Sequence, residues 1–169
     1  GTHWTAIGAF YGAEFITKEM ILRGGKTPPP MRFHGPTRAG ERRDTDADAG
    51  DLLNLIVDIP ADSLSYPDSV QVWPTPAADR PKTLVVGDSF WWKIYNQDIH
   101  KRAFAPGSQY RYYNYEVFSD QWEDAKDIGE FNLQQTVENL DWVILCVNEG
   151  NLHRYPFDFV DQVLRLYYK

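Results

Sequence analysis

Lys82-Thr83-Leu84-Val85-Val86-Gly87-Asp88-Ser89-Phe90 decides how this chain is read. Thr83, Leu84, Val85 and Val86 are apolar or β-favouring, and they run straight into Gly-Asp-Ser. An amphipathic run over 91–103 follows at once. The pattern predicts a buried strand, a tight turn and a helix over 90–103, with Ser89 exposed at the turn. Such a serine holds its hydroxyl at the carboxyl end of a strand. Its own N–H stands at a helix start, unsatisfied by the helix and at the positive end of its dipole. A nucleophile beside a donor for the resulting oxyanion needs that arrangement. A serine there also reads as an N-cap that only satisfies the helix.

Downstream, the alternation continues. Residues 109–118 read as an aromatic-rich strand, 130–139 as a helix, 142–147 as a strand and 157–167 as the last helix. Strands alternating with helices predict an α/β fold, a parallel sheet with helices on its faces. Ligands of such sheets sit outside the carboxyl ends of the strands, where Ser89 and Asn148 both fall. Upstream, residues 5–22 carry Ile7, Phe10, Tyr11, Phe15 and Ile16 at helical spacing, with Thr2 or Thr5 as cap and Gly24-Gly25 as terminator. Residues 26–50 and 60–81 read as loop-rich connectors. Between them 51–59 reads as a short helix or turn, and a short strand is expected over 70–73. The whole chain, 1–169, reads as one domain.

The chain opens Gly1-Thr2-His3-Trp4. A His-Trp pair ahead of a helix, with Gly-Asp-Ser-Phe far downstream, resembles the SGNH-type acetyltransferases of the alginate O-acetyltransferase family. Further stations match in order: Gly8-Ala9, Gly50-Asp51-Leu52, Val147-Asn148-Glu149 and Asn151-Leu152. The resemblance implies a flavodoxin-like, SGNH-hydrolase-type sheet with its motifs in permuted order. In the family Asp-x-His-Trp precedes the serine block, and the aspartate's place here is held by Gly1. The strand expected before His-Trp is also missing, so the resemblance implies a fragment lacking its N-terminal strand or strands.

The resemblance gives each candidate a role. Ser89 is the nucleophile and His3 its base, since free imidazole titrates near neutrality. Asp88 shapes the turn by accepting hydrogen bonds. Asn148 completes an oxyanion hole through its amide N–H, although the block reads Asn-Glu where related enzymes have Asn-Asp. Trp4, Glu149 and Arg154 are further candidates for substrate contact. Of Trp91/Trp92 and of Tyr112/Tyr113, one of each pair is expected in the core and the other at the cleft.

Composition sets bounds. A net charge of −7 argues against nucleic acid and an anionic membrane surface, and favours a neutral glycan over a polyanionic one. No run of roughly 18 apolar residues exists to span a membrane. The histidines lack ligand spacing, so no metal is expected. No cofactor is expected either. Cys146, in an apolar run, reads as a small core residue. Aromatics at 15% are high; most are expected in the core, and a surplus often lines a sugar-binding cleft, where flat rings stack on pyranose faces.

The expected function is O-acetyl transfer to a polysaccharide through a serine acyl-enzyme. A carbohydrate O-acetyl esterase and a non-catalytic glycan-binding domain are the alternatives. By resemblance the setting is extracytoplasmic, periplasm or cell surface, with a membrane-bound acetyl donor system as partner. Serine triads without their acid lose roughly 10⁴-fold in turnover. An N-terminally extended chain with Gly1→Asp is therefore expected to hydrolyse an acetyl ester up to ~10⁴-fold faster than this one. Rates within a few-fold of each other would mean that another group orients His3.

Overall fold

Thr5 starts the first helix, α1 (Ala6–Arg23): its Oγ1 accepts from Gly8 N–H at 3.1 Å. Gly24 ends it in a left-handed conformation, φ 81°, which glycine adopts without strain. The computed structural model describes residues 3–39 and 65–168, with the side chains of 33–39 and 65–70 outside the description. The buried stripe of α1 is Ala9, Phe10, Ala13, Thr17 and Met20, while Tyr11 and Phe15 are exposed.

The first supposed connector contains a strand. β1 (Met31–Ala39) pairs antiparallel with β2 (Ser65–Val72), which is longer than the strand expected over 70–73. The register gains one residue on β1 between His34 and Thr37, around Gly35-Pro36. Proline has no N–H for the ladder, so a bulge there is the natural adjustment. Prolines made the region look like a loop. The turn or helix expected at 51–59, and the Gly50-Asp51-Leu52 station, lie outside the described residues.

The remaining strands are β3 (Thr83–Gly87), β4 (Gln109–Tyr112), β5 (Glu116–Ser119), β6 (Lys126–Asp127) and β7 (Trp142–Cys146). They form one five-stranded sheet in the order β6-β5-β4-β3-β7. β4, β3 and β7 run parallel, whereas β5 pairs antiparallel with both β4 and β6. The expected all-parallel sheet is thus corrected to a mixed one. The single aromatic strand read over 109–118 is a hairpin. Tyr113 and Asn114 turn it with φ of 52° and 53°. Asparagine tolerates the left-handed region better than most residues, and no glycine or proline marks the turn.

The helix expected over 90–103 is also broken. A 3-10 turn, Ser89–Trp91, leads into α2 (Trp92–Tyr95), and α3 (Ile99–Ala103) follows. Between them Asp98 takes φ 58°, and Gln97 Nε2 donates to Lys93 O at 2.8 Å. Asn96-Gln97-Asp98 is a polar run whose side chains compete for the last helical groups. α4 (Leu133–Glu138) and α5 (Phe159–Tyr167) complete the fold, each two to three residues shorter than expected at its start.

Helices cover both faces of the sheet. On one, Phe10 and Ala13 of α1 meet Val85, Trp91, Ile94, Ile99 and Tyr110. Trp92 packs against this core, edge-on to Phe118 and Tyr110 at 4.5 and 4.9 Å, but stays half-buried, whereas Trp91 is fully inside. On the other, Leu84 and Val86 meet Leu133, Val137, Phe157 and Phe159. Among the described residues no helix is long and apolar enough to cross a membrane.

His100 lies in the first core, 2% exposed, and its Nδ1 accepts from Trp91 Nε1 at 3.3 Å. Burial pushes its imidazole from 6.5 down to about 4, against the smaller opposing pull of the Ser108 main chain and Asp120. The folded state therefore refuses a proton that the unfolded chain takes up below its ordinary value. Its contribution to stability is complete above pH 6.5 and is lost as pH falls towards 4. Chemical denaturation across that window should show ~1.4 kcal/mol lost per pH unit from this residue. In His100→Phe that part of the slope should vanish. An unchanged slope would show that His100 does not titrate in this way.

Candidate active site

β3 is buried along its whole length and delivers Gly87, Asp88 and Ser89 to its carboxyl end. Gly87 is required by a close approach. A Cβ there would stand 2.6 Å from the Cys146 carbonyl oxygen on β7, backbone that cannot yield. The next residue uses that same carbonyl, since Asp88 N–H donates to Cys146 O at 3.2 Å.

Asp88 is fully buried. Its Oδ1 accepts from Phe90 N–H at 3.1 Å. Its Oδ2 accepts from Asn148 N–H and Asn148 Nδ2, both at 2.7 Å, and from Asn151 Nδ2 at 3.0 Å. The Asp88 carbonyl accepts from Tyr110 Oη at 2.6 Å, and burial holds that phenol far above its usual range. A buried carboxylate with four N–H donors is a turn-shaping group.

Ser89 follows, half-buried, at the first position of the 3-10 turn. Its Oγ lies 2.7 Å from His3 Nε2, across 86 positions of sequence. With the proton on Nδ1, Nε2 accepts from the serine hydroxyl, the geometry of a base poised on a nucleophile. Among the described residues the Ser89 N–H makes no hydrogen bond, which leaves it available to an oxyanion. The following helical segments are three and four residues long, so the donor acts through its own N–H more than through a long helix dipole.

The His3 ring lies 5.2 Å from the Phe90 ring. Trp4 meets Phe90 edge-on at 5.6 Å and lays its ring on α1 at Gly8 and Gly12. Trp4 is therefore a packing residue that sets His3 in place. Asn148, expected to offer an amide N–H to the oxyanion, does reach the group, and its main-chain N–H and one Nδ2 hydrogen are committed to Asp88. Its Oδ1 accepts from Asn151 N–H at 3.2 Å, and the second Nδ2 hydrogen is its remaining donor. Glu149 is exposed at the start of the 3-10 segment Glu149–Arg154, with no contact to the Ser89–His3 pair among the described residues. Gly1, where the resemblance implies an acid, lies outside the described residues.

Sequence reasoning quoted Asn151 and Phe90 as motif stations but gave them no role in this group, and it missed Tyr110. The Asn148-x-x-Asn151 spacing was the available signal, because a 3-10 turn places residues three apart on one side. Cys146 faces the first core, and burial, with the Asp88 carboxylate, pushes its thiol up to about 12. Family models, curated proteins and solved structures were all compared with this chain, and none matches.

Asp88→Ala would leave four N–H groups of the half-buried residues Phe90, Asn148 and Asn151 without their acceptor. A loss of about 3 kcal/mol or more is expected in urea unfolding, since each orphaned buried donor costs about 1–3 kcal/mol. A loss below about 1 kcal/mol would mean that the loops reorganise and that Asp88 does not hold them.

Proposed function

We propose that this chain transfers O-acyl groups, acetyl foremost, through an acyl-enzyme on Ser89. The observation that carries the reading is the 2.7 Å approach of His3 Nε2 to Ser89 Oγ beside an unused Ser89 N–H. The SGNH-type order, His-Trp before Gly-Asp-Ser-Phe, supports it from the sequence side, and the mixed α/β sheet is compatible with that fold.

His3 takes the Ser89 proton as Oγ attacks the acyl carbonyl. The new oxyanion accepts from the Ser89 N–H, with the free Nδ2 hydrogen of Asn148 as a second donor. His3 then gives the proton to the departing oxygen. In the second half the acceptor hydroxyl passes its proton to His3 and attacks the acyl-enzyme, the bond from the acyl carbon to Oγ breaks, and His3 returns that proton to Ser89 Oγ. A polysaccharide hydroxyl as acceptor makes the protein an O-acetyltransferase. Water as acceptor makes it an esterase, a reading favoured by the partial exposure of Ser89. By the same resemblance the protein works outside the cytoplasm and draws acetyl groups from a membrane-bound donor system.

Ser89→Ala should abolish hydrolysis of an acetylated chromogenic ester, with a loss on the order of 10⁶-fold, and leave the unfolding transition in place. A fluorophosphonate should add mass to the Ser89 peptide of the unaltered chain only. Full ester turnover in purified Ser89→Ala, or labelling at another residue, would end this reading.

A further inference from the structure

A polar cleft of about 760 Å³ opens at the carboxyl end of β4. Its volume lies within the ~300–1,000 Å³ of ordinary ligand sites. One wall is the β4–β5 turn, with Tyr113, Asn114, Tyr115 and Glu116. The other is the end of the 3-10 segment and the start of α5, with His153, Arg154, Tyr155, Asp158, Asp161 and Gln162.

Both walls are tied to the serine turn. Tyr113 N–H donates to Gly87 O at 2.8 Å, two residues before Ser89. Asn151, two residues before His153, donates to Asp88. The cleft therefore belongs to the same end of the sheet as Ser89, and neither Ser89 nor His3 lines it.

The lining chemistry is specific. Tyr115 and Tyr155 leave 65% and 50% of their surface open, far more than packing would leave. Between the walls Asn114 is 7% exposed. Its Nδ2 bridges to Phe157 O at 3.1 Å and Gln162 Oε1 at 3.4 Å, and its Oδ1 has no partner. Open aromatic faces ringed by planar amide, carboxylate, guanidinium and imidazole groups suit a pyranose, which offers an apolar C–H face and hydroxyls at its rim. Glu116, Asp158 and Asp161 outnumber Arg154, so the balance disfavours phosphate or uronate.

We propose that this cleft binds a chain of neutral pyranosides and holds it as the acyl acceptor for Ser89. The acceptor role rests on the acyl-transfer reading of Ser89, whereas the affinity for sugar stands on the cleft alone.

The test is calorimetric titration of the unaltered chain and of Ser89→Ala with cellohexaose, mannohexaose and xylohexaose, and with a galacturonate hexamer. At least one neutral hexamer is expected to bind both proteins equally, and the galacturonate hexamer about tenfold more weakly or worse. Tyr115→Ala should weaken binding about tenfold, the worth of one stacked ring, and Tyr115→Phe should bind within about threefold. No neutral hexamer binding up to about 10 mM, no effect of Tyr115→Ala, or equal affinity for the galacturonate hexamer would overturn the proposal. Sugar binding without fluorophosphonate labelling of Ser89 would remove the acyl-transfer reading and keep the sugar site. Labelling without sugar binding would do the reverse.

Discussion

Asp88 is the point on which the carboxyl end of the sheet depends. Its main chain joins β7 through Cys146 O and β4 through the Tyr110 hydroxyl. Its carboxylate gathers the start of the serine turn and both asparagines of the loop after β7. Burying a carboxylate completely costs several kcal/mol, and only a full set of donors offsets that. Four N–H groups converge on it, three of them on a single oxygen. Charge-assisted bonds of this kind are roughly twice as strong as neutral ones, so the loops have one favoured arrangement. The direction in which Ser89 points follows from that arrangement.

The decisive parts of the sequence were those whose local chemistry allows one conformation. Thr83 to Gly87 has no polar residue to compete with strand pairing beyond Thr83 itself, and the glycine admits the Cys146 carbonyl. The reading of this stretch and of β7 survives in the structure. What failed were segments whose conformation is set from a distance. The helix read over 90–103 follows its hydrophobic pattern up to Tyr95, but the left-handed Asp98 shows only in the folded chain. The turn at Tyr113-Asn114 lacks the glycine that would announce it, and its neighbours are all aromatic. β1 was hidden by prolines and by the absence of any local partner, since β2 lies more than twenty residues on. In the site, Ser89, His3, Asp88 and Asn148 were nameable in advance because motif order placed them. The use of the Asn148 N–H was not, because a donor near an oxyanion site and a donor near a buried carboxylate look the same in sequence.

The serine turn and the polar cleft share a design. Ser89 stands on the turn after β3, and the walls of the polar cleft stand on the turns after β4 and β7, so the central parallel strands supply all three from one end. Parallel strands put their carboxyl ends side by side, and the loops that leave them are close whatever their sequence. The antiparallel β5 widens this end, because the hairpin returns the chain immediately and leaves Tyr115 exposed at the tip.

His3 poses a different problem, since it precedes α1 and belongs to no strand. Holding such a residue in one place costs backbone and side-chain entropy of a few kcal/mol. Trp4 meets that cost, because burying part of an indole stabilises by about 25 cal/mol for each Å² removed from water. The ring needs a flat bed, and α1 supplies it with two glycines one turn apart. Their roles differ in degree. A Cβ at Gly8 would meet only ordinary contacts, 3.4 Å to Thr5 Oγ1 and 3.7 Å to Trp4 Cβ. A Cβ at Gly12 would stand 2.9 Å from Trp4 Cζ3 and 3.1 Å from Cη2, inside the indole's space. Glycine within a helix costs about 1 kcal/mol relative to alanine. Helix α1 bears that cost at position 12, deep in its second turn, where it gains nothing for the helix itself. The beneficiary is Trp4, and through Trp4 the imidazole beside Ser89.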